Sequence, residues 1–111
     1  MQNTLKLAWG MQSAPKDAPA KVLRQIETEA MALSVAIRAG GHKFASVGAA
    51  IGKSESYVSR MAAGKRPIPD KLVGPLCAAT GSNLLRQYRD LQAALNEVCE
   101  VTRLAELLRA A

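Results

Sequence analysis

Between residues 53 and 66 the chain gathers side chains that can hydrogen-bond in several directions at little steric cost: Lys53, Ser54, Glu55, Ser56, Tyr57, Ser59, Arg60, Lys65 and Arg66. A serine hydroxyl both donates and accepts, and an arginine presents a planar fork of donors. Arg60 could pair with a guanine edge or hold a phosphate. Glu55 could accept from a cytosine amine, or stabilise a helix N-terminus through the macrodipole. Ser56 and Ser59 could meet bases or phosphates, and the Tyr57 hydroxyl a phosphate. Catalytic chemistry is harder to assemble. The single histidine, His42, adjoins Gly40-Gly41 with no Cys, Ser or acidic group at an interpretable spacing, so it reads as a surface or helix-start residue. That glycine pair also lacks the Lys-Ser/Thr of a phosphate loop. Cys77 and Cys99, with one histidine, fall short of the roughly four ligands of a structural zinc site. No enzyme, metal or cofactor is expected. Reduced thiols are favoured over a disulfide, although two cysteines leave one open.

Charge is concentrated around the same residues. Residues 1–37 carry four basic and three acidic side chains, and residues 81–111 carry four of each. Residues 38–80 hold seven Lys/Arg against Glu55 and Asp70, which is +5 of the total +6. A solvated surface would account for such a block. Its position around a cluster of hydrogen-bonding side chains points instead to nucleic acid, where each cation near a phosphate releases counterions.

These side chains need rigid elements beneath them, and the composition supplies helices. Hydrophobic residues make up 49% and aromatics only 4%, so Ala and Leu dominate the core, which suits packed helices better than sheets. No apolar run approaches the roughly 20 residues of a membrane span, and no basic-then-apolar leader opens the chain. A cytoplasmic, nucleoid-associated protein is expected. Residues 1–20, with Leu5, Leu7 and Trp9 alternating, read as a loosely ordered arm. From Lys21 one helix is expected, striped by Leu23, Ile26, Ala30, Leu33 and Ile37 and ended by Gly40-Gly41. Short helices follow at Phe44–Ile51 and Ser54–Ala63, with Ser54 as N-cap. The segment Gly64-Lys65-Arg66-Pro67-Ile68-Pro69 must be a loop, given its prolines. Asp70 is expected to cap a helix reaching Thr80, and Ser82 to cap a last one covering about 83–109.

The stretch from Phe44 to Ala63 has the makings of a helix-turn-helix. Gly48 supplies a small residue for close helix approach and Gly52 the turn, with Val47 and Ile51 facing inward against Val58 and Met61. Val47-Gly48-x-x-Ile51-Gly52, Ser56-x-Val58-Ser59-Arg60 and Gly64-Lys65-Arg66-Pro67-Ile68-Pro69, followed by Ala79-Thr80-Gly81, resemble the Cro/repressor-type (lambda repressor-like) family of phage, prophage and bacterial regulators. The resemblance covers about residues 21–90. It implies an all-α, five-helix fold: a DNA-binding domain at 21–81, whose second motif helix enters the major groove, with the long C-terminal helix after it. It places Ser54, Glu55, Ser56, Ser59 and Arg60 near bases, and Lys53, Tyr57, Lys65 and Arg66 near phosphates. Two departures stand out: Gly48 replaces the usual Ala, at about 1 kcal/mol of helix propensity, and Lys53 replaces the apolar residue that plugs the turn. The lysine stem is expected to lie over the core with its amine in solvent.

The last helix, in a segment of residues 82–111, carries a second pattern. Leu84, Tyr88, Leu91, Leu95 and Val98 step by 4, 3, 4 and 3, and Leu104 and Leu108 continue the seam less cleanly. Such spacing suits a coiled coil between copies of the chain, a dimer or a tetramer, whereas a hairpin folded back on its own domain is the plain alternative. A similarity to the phage CII-type activators, which work as homotetramers, would add host RNA polymerase to an operator duplex as a partner. Together these features predict a DNA-binding transcriptional repressor or activator. The competing reading is a protein-interaction module on the same fold, such as an antitoxin or phage adaptor, whose reading helix would be apolar or acidic outside.

Overall fold

Small apolar residues punctuated by glycines divide this chain into short helices, and the computed structural model, which describes residues 14–110, is all-helical. The helices are α1 (Ala20–Leu23), α2 (Glu29–Ala39), α3 (Phe44–Ile51), α4 (Glu55–Ala62), α5 (Asp70–Thr80) and α6 (Leu84–Ala110). The core fills the space among them, with Leu33, Val47, Val58, Met61, Leu76, Cys77, Leu84 and Leu85 almost wholly buried.

The helix expected from Lys21 onward is two helices. Thr28 is extended, with φ −141°, and its hydroxyl accepts the Met31 amide at 3.1 Å, so a new helix starts there and α1 stops after one turn. The expected stripe persists across the break because Ile26, in the connection, is still buried. Asp70 is the first helical residue of α5, with Pro69 at the cap position, rather than the cap itself. Ser82 does meet the start of α6, accepting the Leu84 amide at 3.2 Å. Pro75 remains within a continuous α5. Gly74 precedes it, and a residue without Cβ removes the side-chain part of the clash that normally disfavours the helical conformation before proline.

Leu5, Leu7 and Trp9 lie outside the described residues. The remainder of the expected arm is fastened down. Lys16 forms a parallel bridge with Ser82, its carbonyl accepting the Asn83 amide at 2.8 Å. The Gln87 side chain reads both backbone groups of Ala18, accepting its N–H at 2.8 Å and donating to its C=O at 3.1 Å. Asn83 donates to the Pro15 carbonyl and to Asp17.

Helix α6 has two halves with different surroundings. Leu84 and Leu85 are buried in the chain's own core, and the Tyr88 hydroxyl donates to the Glu27 carbonyl at 2.8 Å. Leu84 and Tyr88, read from the sequence as part of an inter-chain seam, therefore serve the domain itself, and Leu91 is half-buried. Leu95, Val98, Leu104 and Leu108 are exposed on a helix that projects and does not fold back, giving the molecule extents of 64 × 33 × 23 Å. Both cysteines are free thiols, Cys77 buried and Cys99 exposed on this projection.

Position 48 sets the crossing of α3 and α4. A β-carbon on Gly48 would stand 2.6 Å from the Lys53 carbonyl oxygen and 3.1 Å from that of Ser54, both backbone atoms. The Gly48 carbonyl also accepts the Lys53 amide at 2.8 Å. Glycine here is thus required by contact, and its helix-propensity cost is secondary. Gly48→Ala should recover about 1 kcal/mol of propensity but lose roughly 1–3 kcal/mol to overpacking. The expected net result is a lower urea midpoint at unchanged slope; a higher midpoint would remove the steric argument.

Candidate nucleic-acid interface

Helix α4 is held by its inner side and its start. Val58 and Met61 are fully buried against Val47 of α3, with Ile51 half-buried beside them. Gly52, at φ +75°, turns the chain in the left-handed region that side chains disfavour. Two residues later the Ser54 hydroxyl accepts the Tyr57 amide at 3.1 Å, capping the helix as expected. The same hydroxyl lies 3.3 Å from that of Ser56.

The outward side presents Ser54, Glu55, Ser56 and Arg60 to solvent, with Ser59 half-buried at its margin. Among the described residues Arg60 forms no ion pair, so its guanidinium is uncommitted. Lys53 is half-buried, and its Nζ, expected in solvent, stands 5.1 Å from the centroid of the Tyr57 ring. Arg66 approaches the same ring, its Cζ 4.2 Å from the centroid. A cation over an aromatic face is attracted by the ring quadrupole, so Tyr57 gathers two cations that are 13 positions apart in sequence. The expectation for Tyr57 concerned its hydroxyl; the organising role of its ring was not foreseen.

The loop bearing Lys65 and Arg66 is fixed at both ends. The Lys65 amide donates to the Arg60 carbonyl at 2.9 Å, and Gly64 turns the chain with φ +78°. At the other end Ile68 is buried in the core. Arg89, projecting from α6, donates to the Ile68 carbonyl, to Asp70 and to Glu29, the last at 3.0 Å. Glu29 in turn accepts the Ile68 amide at 3.5 Å. One guanidinium thus binds α6, α2, the basic loop and the start of α5 together. Nothing in its sequence surroundings marks Arg89, because its partners lie 19 to 60 positions away.

Comparison with protein-family models, curated proteins and solved structures finds no match to this chain.

Two further cations flank α4. Arg38 and Lys43 line a groove with Ser34, Ile37, His42, Phe44 and Glu55, at the N-terminal end of that helix. Both belong to the basic block yet lie outside the motif, so only the charge count pointed to them. His42 is exposed, but its Nε2 lies 3.1 Å from the Thr80 carbonyl, tying the turn before α3 to the end of α5. Glu55 sits within this cationic end of the helix, an arrangement compatible with its N-terminal electrostatic role. Among the described residues no cluster of His, Cys, Asp and Glu could hold a metal ion, and no helix is long and apolar enough to cross a membrane.

Removing Arg89 would take the donor from the part-buried Ile68 carbonyl and from one of the two carboxylate oxygens of Glu29. An Arg89→Ala substitution should cost about 1–3 kcal/mol, read as a fall in thermal or urea midpoint. Arg89→Lys, with a single ammonium in place of a three-way fork, should fall between it and the parent. Equal stability of all three would show that the junction contributes nothing.

Proposed function

We propose that this chain is a sequence-specific double-stranded DNA-binding regulator of transcription that lays α4 in the major groove. One observation carries the reading: α4 exposes a small, polar, hydrogen-bonding side while cations bracket it at both ends and its other side is locked in the core. A major groove about 12 Å wide admits a single helix, and small side chains let its backbone approach the base edges. A helix meant for an apolar protein surface would carry large hydrophobic residues outward, and this one carries serines and an arginine.

In this reading Arg60, Ser56, Ser59 and Glu55 meet base edges. Lys53, Lys65 and Arg66 hold phosphates on one side, with Tyr57 keeping the flexible stems of Lys53 and Arg66 in place. Arg38 and Lys43 add phosphate contacts at the N-terminal end of α4. Were all the cations other than Arg60 engaged, five in number, log affinity would fall with log salt at a slope of roughly −4 to −5.

Selection of bound sequences from random duplex DNA tests the reading directly, and recovery of no preferred sequence would overturn it. Against the selected site, Arg60→Ala should lose about 1–3 kcal/mol and relax the preference at one or two positions. Lys65→Ala should weaken binding to every sequence alike and flatten the salt slope by about 1. An Arg60→Ala protein with unaltered affinity and preference would remove α4 from the groove.

A further inference from the structure

The projecting half of α6 carries an apolar face with nothing among the described residues against it: Leu95 is 48% exposed, Val98 61%, Val101 66% and Leu108 77%. Along it Leu91, Ala94, Val98, Val101, Ala105 and Leu108 recur at spacings of 3, 4, 3, 4 and 3, without a charge among them. This is the seam of a helix pair. Glu97, Val98, Val101 and Thr102 enclose a shallow depression in its middle.

We infer that this face pairs with the same face of a second copy of the chain, with the two α6 helices antiparallel. The order Leu, Ala, Val, Val, Ala, Leu reads the same in both directions. Antiparallel alignment therefore sets Leu91 against Leu108, Ala94 against Ala105 and Val98 against Val101, so large meets large and small meets small along the seam. Charge favours the same direction. Asp90, Glu97 and Glu100 occupy the first part of the projection, whereas Arg103 and Arg109 outnumber Glu106 in the second. Antiparallel helices lay the acidic part of each along the basic part of the other, with Asp90 beside Arg109 of the second copy. Parallel helices would set acid beside acid and align their macrodipoles unfavourably.

The domain itself supplies a third argument. Leu84, Leu91, Val98 and Ala105 form one row at intervals of seven, and Leu84 at its head is buried in the chain's own core. A parallel partner would bring its own domain to the same level on the same row, where the two would collide. An antiparallel partner ends, at its Ala110, level with Arg89, where the first domain begins. The two domains then stand at opposite ends of a helical bridge.

Cysteine pairing without DNA tests this independently of the groove assignment. In a Cys99→Ser background, with Cys77 left buried, a Leu91→Cys chain and a Leu108→Cys chain are refolded together and oxidised. The expected product is a disulfide between the two different variants. Neither should link to itself, since in this register like positions lie about 25 Å apart. Self-linked Leu108→Cys or Leu91→Cys would establish the parallel pair and overturn the proposal. Light scattering of the parent chain should give an even number of copies. Val98→Glu, at an exposed site, should lower that number at least twofold while leaving the melting of the domain unchanged. A parent mass of one chain, or of an odd number of chains, would also overturn it.

Discussion

The backbone carbonyls of Lys53 and Ser54 lie where a side chain on residue 48 would have to be, and the position of α4 follows from that contact. Because α3 can approach so closely, the turn at Gly52 closes within two residues of the Ser54 cap, and Val58 and Met61 reach the core together. A core packed at crystal-like density fixes a helix to within fractions of an ångström. The base-edge recognition proposed for α4 would need that precision, because hydrogen bonds weaken steeply with angle and distance. The steric requirement at a glycine and the polar face on the far side of α4 are in this sense one design.

The basic loop shows how charge is held in place without being neutralised. Ile68 plugs the loop into the core, Arg89 secures its carbonyl, and the Tyr57 ring lies beneath Arg66. Lysine and arginine stems lose up to about 2 kcal/mol of rotamer entropy each when ordered, so partial ordering before contact reduces the cost of engaging an anion. Arg89 belongs to the helix whose far end carries the self-complementary stripe. The loop and the projecting helix therefore share an anchor, and an assembly built on α6, as proposed, would reach the cations through one element.

Where local rules decide structure, the sequence could be read closely. The spacing of Val47, Ile51, Val58 and Met61, the serine cap and the glycine stops place α3 and α4 within a residue of their observed ends. The charge count located the cationic region without a motif. What escaped reading depends on side chains meeting across long sequence separations. Arg89 reaches back to Glu29, and Gln87 to Ala18, through contacts that no periodicity encodes. The break at Thr28 was hidden because Ile26, in the connection before it, is buried, so the apolar stripe continues where the helix does not. The leucine seam was legible as a pattern, but not the point along it where the chain's own core gives way to open surface. That point is set by the size of the domain, which α6 outruns.

The strap from Pro15 to Ala18 over the root of α6 bears on how the chain acquires its fold. Its bridge joins Lys16 to Ser82, and its side-chain bonds run to Asn83 and Gln87. Contacts that separate in sequence must wait for a long loop to close, and such closure slows folding. During synthesis neither the core nor the basic loop is complete until α6 brings Leu84, Leu85 and Arg89, and the strap has nothing to grip before then. Among the described residues the fold is therefore closed from its last helix backward, with the strap the final piece to be seated.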